Sequence, residues 1–323
     1  MTPRVRIALT VGVALFVAAG MRTSVAADPA PAEKAAPNLA FTAAGKEYHF
    51  DTGVLRGTLR PDGRSLGLTS IVDVASGTSL AGGAGLCSHY RLLDSEARYG
   101  SAAWDWASQS RLLPNGGVEV LWSADKDHPF DMKAVYRWKA ANVCDVTTRV
   151  TAKKDIQRLE VFLASYLAAL PDSFVYVQGC PETGGKPGFF AALESRGPWQ
   201  TFPRDDEAVK IAGDGRWKRP PNPVDWKMMP RLAAPLAMRR DEKTGLTALV
   251  MAPAKDCFAV STPFSGEGHR SIYLSLFGRD LKTGESATAR SRLVIGHKIS
   301  DEQAIALYEA YARERAARAS RPR

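Results

Sequence analysis

The sequence predicts an all-β protein: a large antiparallel β-sandwich over about residues 40 to 297, closed by one C-terminal helix at about 301 to 317. Three observations carry that expectation. Apolar and polar residues alternate with period two through most of the chain, short turn signals separate the alternating segments, and no strand–helix–strand rhythm interrupts them. At roughly 150 residues per domain a chain of 323 residues would suggest two units, yet large sandwiches reach this length as one. A hydrophobic content of 45% supports a sizeable core, and 27 Gly with 20 Pro are too few for a collagen-like or low-complexity chain.

Taken in order, the chain opens with Arg4 and Arg6 ahead of an apolar run from Ile7 to Ala19, followed by small residues from Ser24 to Ala27. The run suits the apolar core of a secretory signal peptide and falls short of the ~20 residues a membrane-spanning helix needs. Residues 1–27 are therefore expected to be a signal peptide cleaved after Ala26 or Ala27, with an uncleaved anchor as the alternative, and 28–39 a flexible Ala/Pro leader. Export to the periplasm or beyond the cell follows. No later stretch is long and apolar enough to span a membrane, and with Cys87 the first cysteine, a lipid-modified N-terminal Cys is excluded.

Val54 to Leu59 and Gly67 to Val74 flank the turn Pro61-Asp62-Gly63-Arg64, where Pro presets φ and Gly accepts a positive one. Val118, Val120 and Trp122 share one face after Asn115-Gly116-Gly117. Met132, Ala134, Tyr136 and Trp138 share another and, after a turn at 140–142, Cys144, Val146, Thr148 and Val150 complete a hairpin. Leu159 to Leu167 is almost wholly apolar, as a central strand covered on both faces would be. Residues 179–232, rich in Pro and Gly, break the alternation and are expected to form a long loop insertion, kept ordered by aromatics such as Phe189, Trp199, Trp217 and Trp226. Strands return at Gly245 to Met251, Phe258 to Thr262, Ser271 to Phe277 and Ala287 to Ile295. Ser300 and Gln303 then make a capping box before Ile305, Leu307, Tyr308 and Tyr311 at helical spacing, and residues 298–323 form the helix and a basic tail.

The formal charge of +9 falls to +6 once Arg4, Arg6 and Arg22 are removed, and five more arginines crowd the stretch from Arg313 to Arg323. The remainder is near balance, so a nucleic-acid groove is not indicated. Cys87, Cys144, Cys180 and Cys257 lie too far apart for a zinc or redox motif. Export permits disulfides, three full pairings are open, and Cys144, on the apolar face of its strand, suits a buried thiol equally well. No His-x-His or His-Glu-x-x-His spacing occurs, so neither a metal nor any other cofactor is expected. The oligomeric state is not legible.

The stretch Met132 to Tyr166, the closing segment Gly284 to Gly296 and the opening pair of strands in Leu66 to Ala81 resemble parts of a galactose-mutarotase-like supersandwich. The whole chain also resembles a family of exported bacterial proteins of the kind found in planctomycetes. The first resemblance implies a carbohydrate ligand, because such domains serve as aldose epimerases, parts of lyases and glycosidases, or sugar-binding modules. It does not imply a reaction. Epimerases pair a His acid with a Glu base. Here Asp127-His128-Pro129-Phe130-Asp131 lacks the asparagine that neighbours their histidine, and no position matches the late glutamate.

Candidate site residues follow from residue type and setting. Trp104-Asp105-Trp106, placed on a strand, would put two indoles on one face for sugar stacking and a carboxylate on the other. Trp199, Arg204, Arg216 and Trp217 in the 179–232 region would supply a rim of indoles and guanidinium groups suited to an anionic or neutral sugar, and should converge with the first motif on one concave face. His89, His128 and His269, with Asp105, are the candidates for acid–base work, and Arg270 beside His269 for substrate binding. An exported carbohydrate-binding or carbohydrate-processing protein is the first expectation, with hydrolase, lyase or isomerase chemistry open if it is an enzyme. The alternative is a non-enzymatic structural or interaction protein of the cell envelope.

Overall fold

A computed structural model describes residues 37–61 and 65–319, with side chains through residue 316. The expected signal peptide, most of the leader, the centre of the 61–64 turn and the end of the basic tail lie outside the described residues. The chain begins as a four-stranded meander, β1 (Thr42–Ala44), β2 (Glu47–Asp51), β3 (Leu55–Arg60) and β4 (Gly67–Asp73). Then come β5 (Ser88–Leu93), β6 (Ser108–Leu112), β7 (Val118–Trp122), β8 (Phe130–Ala140), β9 (Val143–Ala152), β10 (Ile156–Tyr166), β11 (Asp172–Val177), β12 (Gly188–Ala191) and β13 (Trp199–Pro203). Helix α1 (Asp206–Ala212) precedes β14 (Lys227–Met228), β15 (Leu232–Arg240), β16 (Leu246–Met251), β17 (Cys257–Pro263), β18 (Ser271–Leu281), β19 (Ser286–His297) and helix α2 (Asp301–Ala319).

Nine strands form one sheet in the order β12-β11-β15-β16-β19-β9-β8-β7-β6, and six form another in the order β14-β13-β17-β18-β10-β5. Pairing is antiparallel except between β13 and β14. One core joins the sheets: Val120, Trp122, Ala134 and Tyr136 of the nine-stranded sheet cluster with Leu159, Val161, Leu163 and Leu274 of the six-stranded one. The large antiparallel sandwich with a C-terminal helix is thus the observed architecture.

The almost apolar strand β10 shows why both of its faces are buried. Leu159, Val161 and Leu163 point inward to the shared core, whereas Phe162 and Ala164 join Trp217 and Tyr273 in a separate cluster on the outer face of the six-stranded sheet. The nine-stranded sheet is covered in its turn by α2. Ala304 and Tyr311 pack on Leu236, Met238, Leu249, Met251 and Val294, and Arg292 lies over the Tyr311 ring at 4.4 Å. The capping box forms as expected, with the Ser300 N–H donating to Gln303 Oε1 and the Gln303 N–H to Ser300 Oγ.

Two expectations are corrected. The 179–232 region is not a plain loop: it contributes β12 and β13 to the two sheets and also holds α1, whose N-terminus is capped by the Asp205 carboxylate accepting from the Ala208 N–H. Pro203 ends β13 too soon for alternation to be visible. The Trp104-Asp105-Trp106 motif is a turn of 3-10 helix over Ala103–Asp105, closed by the Trp106 N–H on the Ala103 carbonyl, and not a strand. All four cysteines are free thiols, and burial pushes those of Cys87 and Cys257 up to about 12.

Candidate functional site

A cleft of about 460 Å³ opens on the outer face of the six-stranded sheet, between that face and the 179–232 region. Its floor comes from β10 and β18, where Phe162, Tyr166 and Tyr273 project outward by strand parity. Its wall comes from β5, through an irregularity in pairing. Val161 pairs with Leu92 and Leu163 with His89, so Tyr90 and Arg91 together oppose the single residue Phe162. This bulge lets two successive side chains, which a regular strand would send to opposite faces, both line the cleft. Tyr90 stacks on Trp104, with ring centroids 4.7 Å apart at 21°. Opposite, Trp199, Trp226 and His269 form a chain of edge contacts at 5.3 and 5.4 Å.

Polar groups are spaced among the rings. The Asn222 amide donates to the Tyr90 hydroxyl at 3.3 Å, and the Ser271 hydroxyl donates to that of Tyr273 at 2.9 Å. Burial raises the phenols of Tyr166 and Tyr273, so both enter the cleft as neutral hydroxyls able to donate and accept. Half-exposed His269 has its Nδ1 2.7 Å from Glu267 Oε1. Among the described residues, no carboxylate lines this cleft, and no three His, Cys, Asp or Glu side chains gather as a metal set.

The cover over the cleft hangs on a buried ionic anchor. Glu160, on the outer face of β10, and Arg216 are both 0% exposed and lie 3.2 Å apart, while the Trp217 indole N–H donates to both Glu160 oxygens at 3.1 Å. Asp214 holds the other side of the guanidinium at 2.8 Å. Burial pushes the Glu160 carboxyl above its ordinary range against the pull of Arg216, whose own charge is held by Glu160 and Asp214 in spite of burial.

Of the sequence-predicted residues, Trp104, Trp199 and His269 meet in the cleft. Trp217 is buried beneath its rim, and Arg216 is the anchor, so neither forms an exposed rim; the expected convergence on one concave face holds only in part. Arg204 pairs with Asp205 beside a different surface recess at Ala254 and Lys255. Arg270 donates to the Ala168 carbonyl. Trp106, 4% exposed, faces away from Trp104 because the 3-10 turn rotates successive side chains apart. Its indole donates to the Ser123 carbonyl and stacks on His128 at 4.1 Å. Asp105 and His128 line another surface recess with Trp106, apart from the one beside Arg204, and His128 Nδ1 sits 2.8 Å from Asp125. His89 lies in the core between the sheets, 2.8 Å from Thr148 Oγ1, and burial depresses it to about 3. A neutral, enclosed imidazole of this kind is a packing residue, not an acid–base group in the cleft.

Tyr90, Arg91, Phe162, Tyr166, Asn222 and Tyr273 were not singled out by sequence reasoning. Parity on β10 could have found Phe162 and Tyr166, whereas the bulge that exposes Arg91 leaves no mark in the sequence.

No family model matches the chain, and no curated protein matches it. Several solved structures are similar. A galactose 1-epimerase from Lactobacillus acidophilus NCFM is 9% identical over 81% of this chain and 99% of its own, with a TM-score of 0.46. An aldose epimerase homologue from C. elegans is 12% identical over 81% of this chain and 99% of its own, with a TM-score of 0.41. An alpha-N-acetylgalactosaminidase from Bifidobacterium bifidum is 11% identical over 85% of this chain but only 38% of its own, with a TM-score of 0.47. These likenesses concern the fold alone and assign no residue of this chain a role.

Proposed function

We propose that the chain is an exported carbohydrate-binding protein whose ligand sits in the cleft over β10 and β18. One observation carries this reading: stacked Tyr90 and Trp104 face Trp199 and Trp226 across a space of about 460 Å³, with an amide and neutral phenols between them. Aromatic faces suit the apolar C–H face of a pyranose, and the polar groups suit its hydroxyls. Binding is favoured over glycoside hydrolysis because that chemistry takes two carboxyl groups flanking the bond, and the described lining supplies none. Export belongs to the same proposal, resting on the N-terminal charge, apolar run and small residues.

Two measurements test it. A glycan array probed with the full chain and with Trp104→Ala should show retained glycans for the first and loss for the second; no retention by the full chain overturns the binding assignment. Mass spectrometry of protein from its native cell should place the N-terminus near Ala27 or Asp28, and an intact Met1 in the soluble fraction would refute export.

A further inference from the structure

The wall of the cleft carries a charge that the protein leaves unmatched. Arg91 is 4% exposed, yet its guanidinium is held by main-chain carbonyls: Nη1 donates to Trp217 at 3.3 Å and Nη2 to Asn222 at 2.7 Å. Those bonds use two of the five N–H donors a guanidinium has. The guanidinium also lies over two rings, Tyr90 at 5.3 Å and Phe162 at 6.0 Å, and the nearby charge of Arg98 has the same sign. Among the described residues no carboxylate forms an ion pair with it.

Other buried or part-buried arginines are treated differently. Arg216 faces Glu160 and Asp214, and Arg292 faces Asp145 and Glu314. Arg239 also rests on carbonyls, but it is wholly enclosed and bonds through all three of its nitrogens. Arg91 alone of these four lines the cleft. A cation taken out of water without a counter-charge is costly, and its planar fork matches two oxygens of an anionic group.

We infer that the carbohydrate taken by this cleft is an acidic one, its ring bearing a carboxylate or sulfate that meets Arg91 while its apolar face rests on the Tyr90–Trp104 pair. This rests on the proposal that the cleft binds carbohydrate, and the test separates the two. The full chain is titrated calorimetrically with an oligogalacturonate, its fully methyl-esterified form, a sulfated galactan oligomer and the unsulfated oligomer, at low and moderate salt. The acidic member of at least one pair should bind tenfold or more tightly than its neutral counterpart, the advantage shrinking with salt, and the pair that responds identifies the anion. Arg91→Gln should bring the acidic ligand down to the affinity of the neutral one. Arg91→Lys, which keeps the charge and loses the fork, should fall between them with a melting curve like that of the parent. Equal affinity within both pairs, or a preference that survives in a folded Arg91→Gln chain, overturns the acidic ligand and leaves the carbohydrate cleft standing. Binding of none of the four overturns both.

Discussion

Both sheets of the sandwich are covered on their outer faces, and the two covers differ in kind. Helix α2 lies on β15, β16 and β19 through side chains that fill the interface, Tyr311 above all, so the apolar patch beneath it is consumed. The 179–232 region instead is pinned to β10 by the buried Glu160–Arg216–Trp217 anchor and leaves a cleft beside it. A cover that buries area evenly stabilises; a cover pinned by a buried ion pair and indole can hold walls apart.

The contrast can be broken at the anchor first. Arg216→Ala leaves Glu160 buried without its partner, and such a loss costs about 3 to 5 kcal/mol. Urea denaturation should show that drop together with lost ligand binding; a near-normal midpoint would show that the cover does not depend on the pair. On the other cover, Tyr311→Ala should cost roughly 3 kcal/mol, the lower end for truncating a fully buried aromatic, and leave ligand affinity per folded molecule untouched. A matching fall in affinity would mean that the two covers are coupled.

Inside the cleft the expected effects move from stability to affinity. Trp104→Ala should weaken glycan binding by about 1 to 3 kcal/mol, taking base stacking on aromatics as the analogue, with little change in melting. Trp106→Ala should do the reverse, since that indole is core. A Trp104 variant that melts early yet binds normally would exchange their roles.

The last effect, one that pH brings out, concerns the layer beneath both covers. His89 is depressed to about 3 by burial, below its ordinary value of about 6.5. Its contribution to stability is therefore fully present above pH ~6.5 and is lost as pH falls toward 3, by up to about 1.4 kcal/mol per unit. Urea midpoints at pH 7, 5.5 and 4 should fall less steeply for His89→Gln than for the parent, and parallel slopes would contradict a buried neutral imidazole.

Strand parity made the central layers legible: β8, β9 and β10 announce their buried faces residue by residue, and Ser300 with Gln303 announces α2. The site was legible only where a whole side-chain class marked it, as with Trp104, Trp199 and His269. The rest was hidden by departures from regular geometry. One 3-10 turn sends Trp104 and Trp106 apart although a strand would align them. One bulge turns both Tyr90 and Arg91 to the outer face and leaves their neighbour His89 in the core. Neither device changes composition or periodicity enough to be read from the chain.

The order of strands in the six-stranded sheet also governs when the molecule can assemble. β10 is flanked by β18 on one side and β5 on the other, so the floor and wall of the cleft join Ser271–Leu281 and Ser88–Leu93, far apart in the chain. Such distant pairings make for slow folding, because loop closure must precede any reward from contact. Until Ser271–Leu281 has emerged from the ribosome, the nearly apolar β10 has no partner on that edge, and its exposed backbone invites association with other chains. Newly made protein should therefore remain dependent on chaperones until nearly all of it has been synthesised.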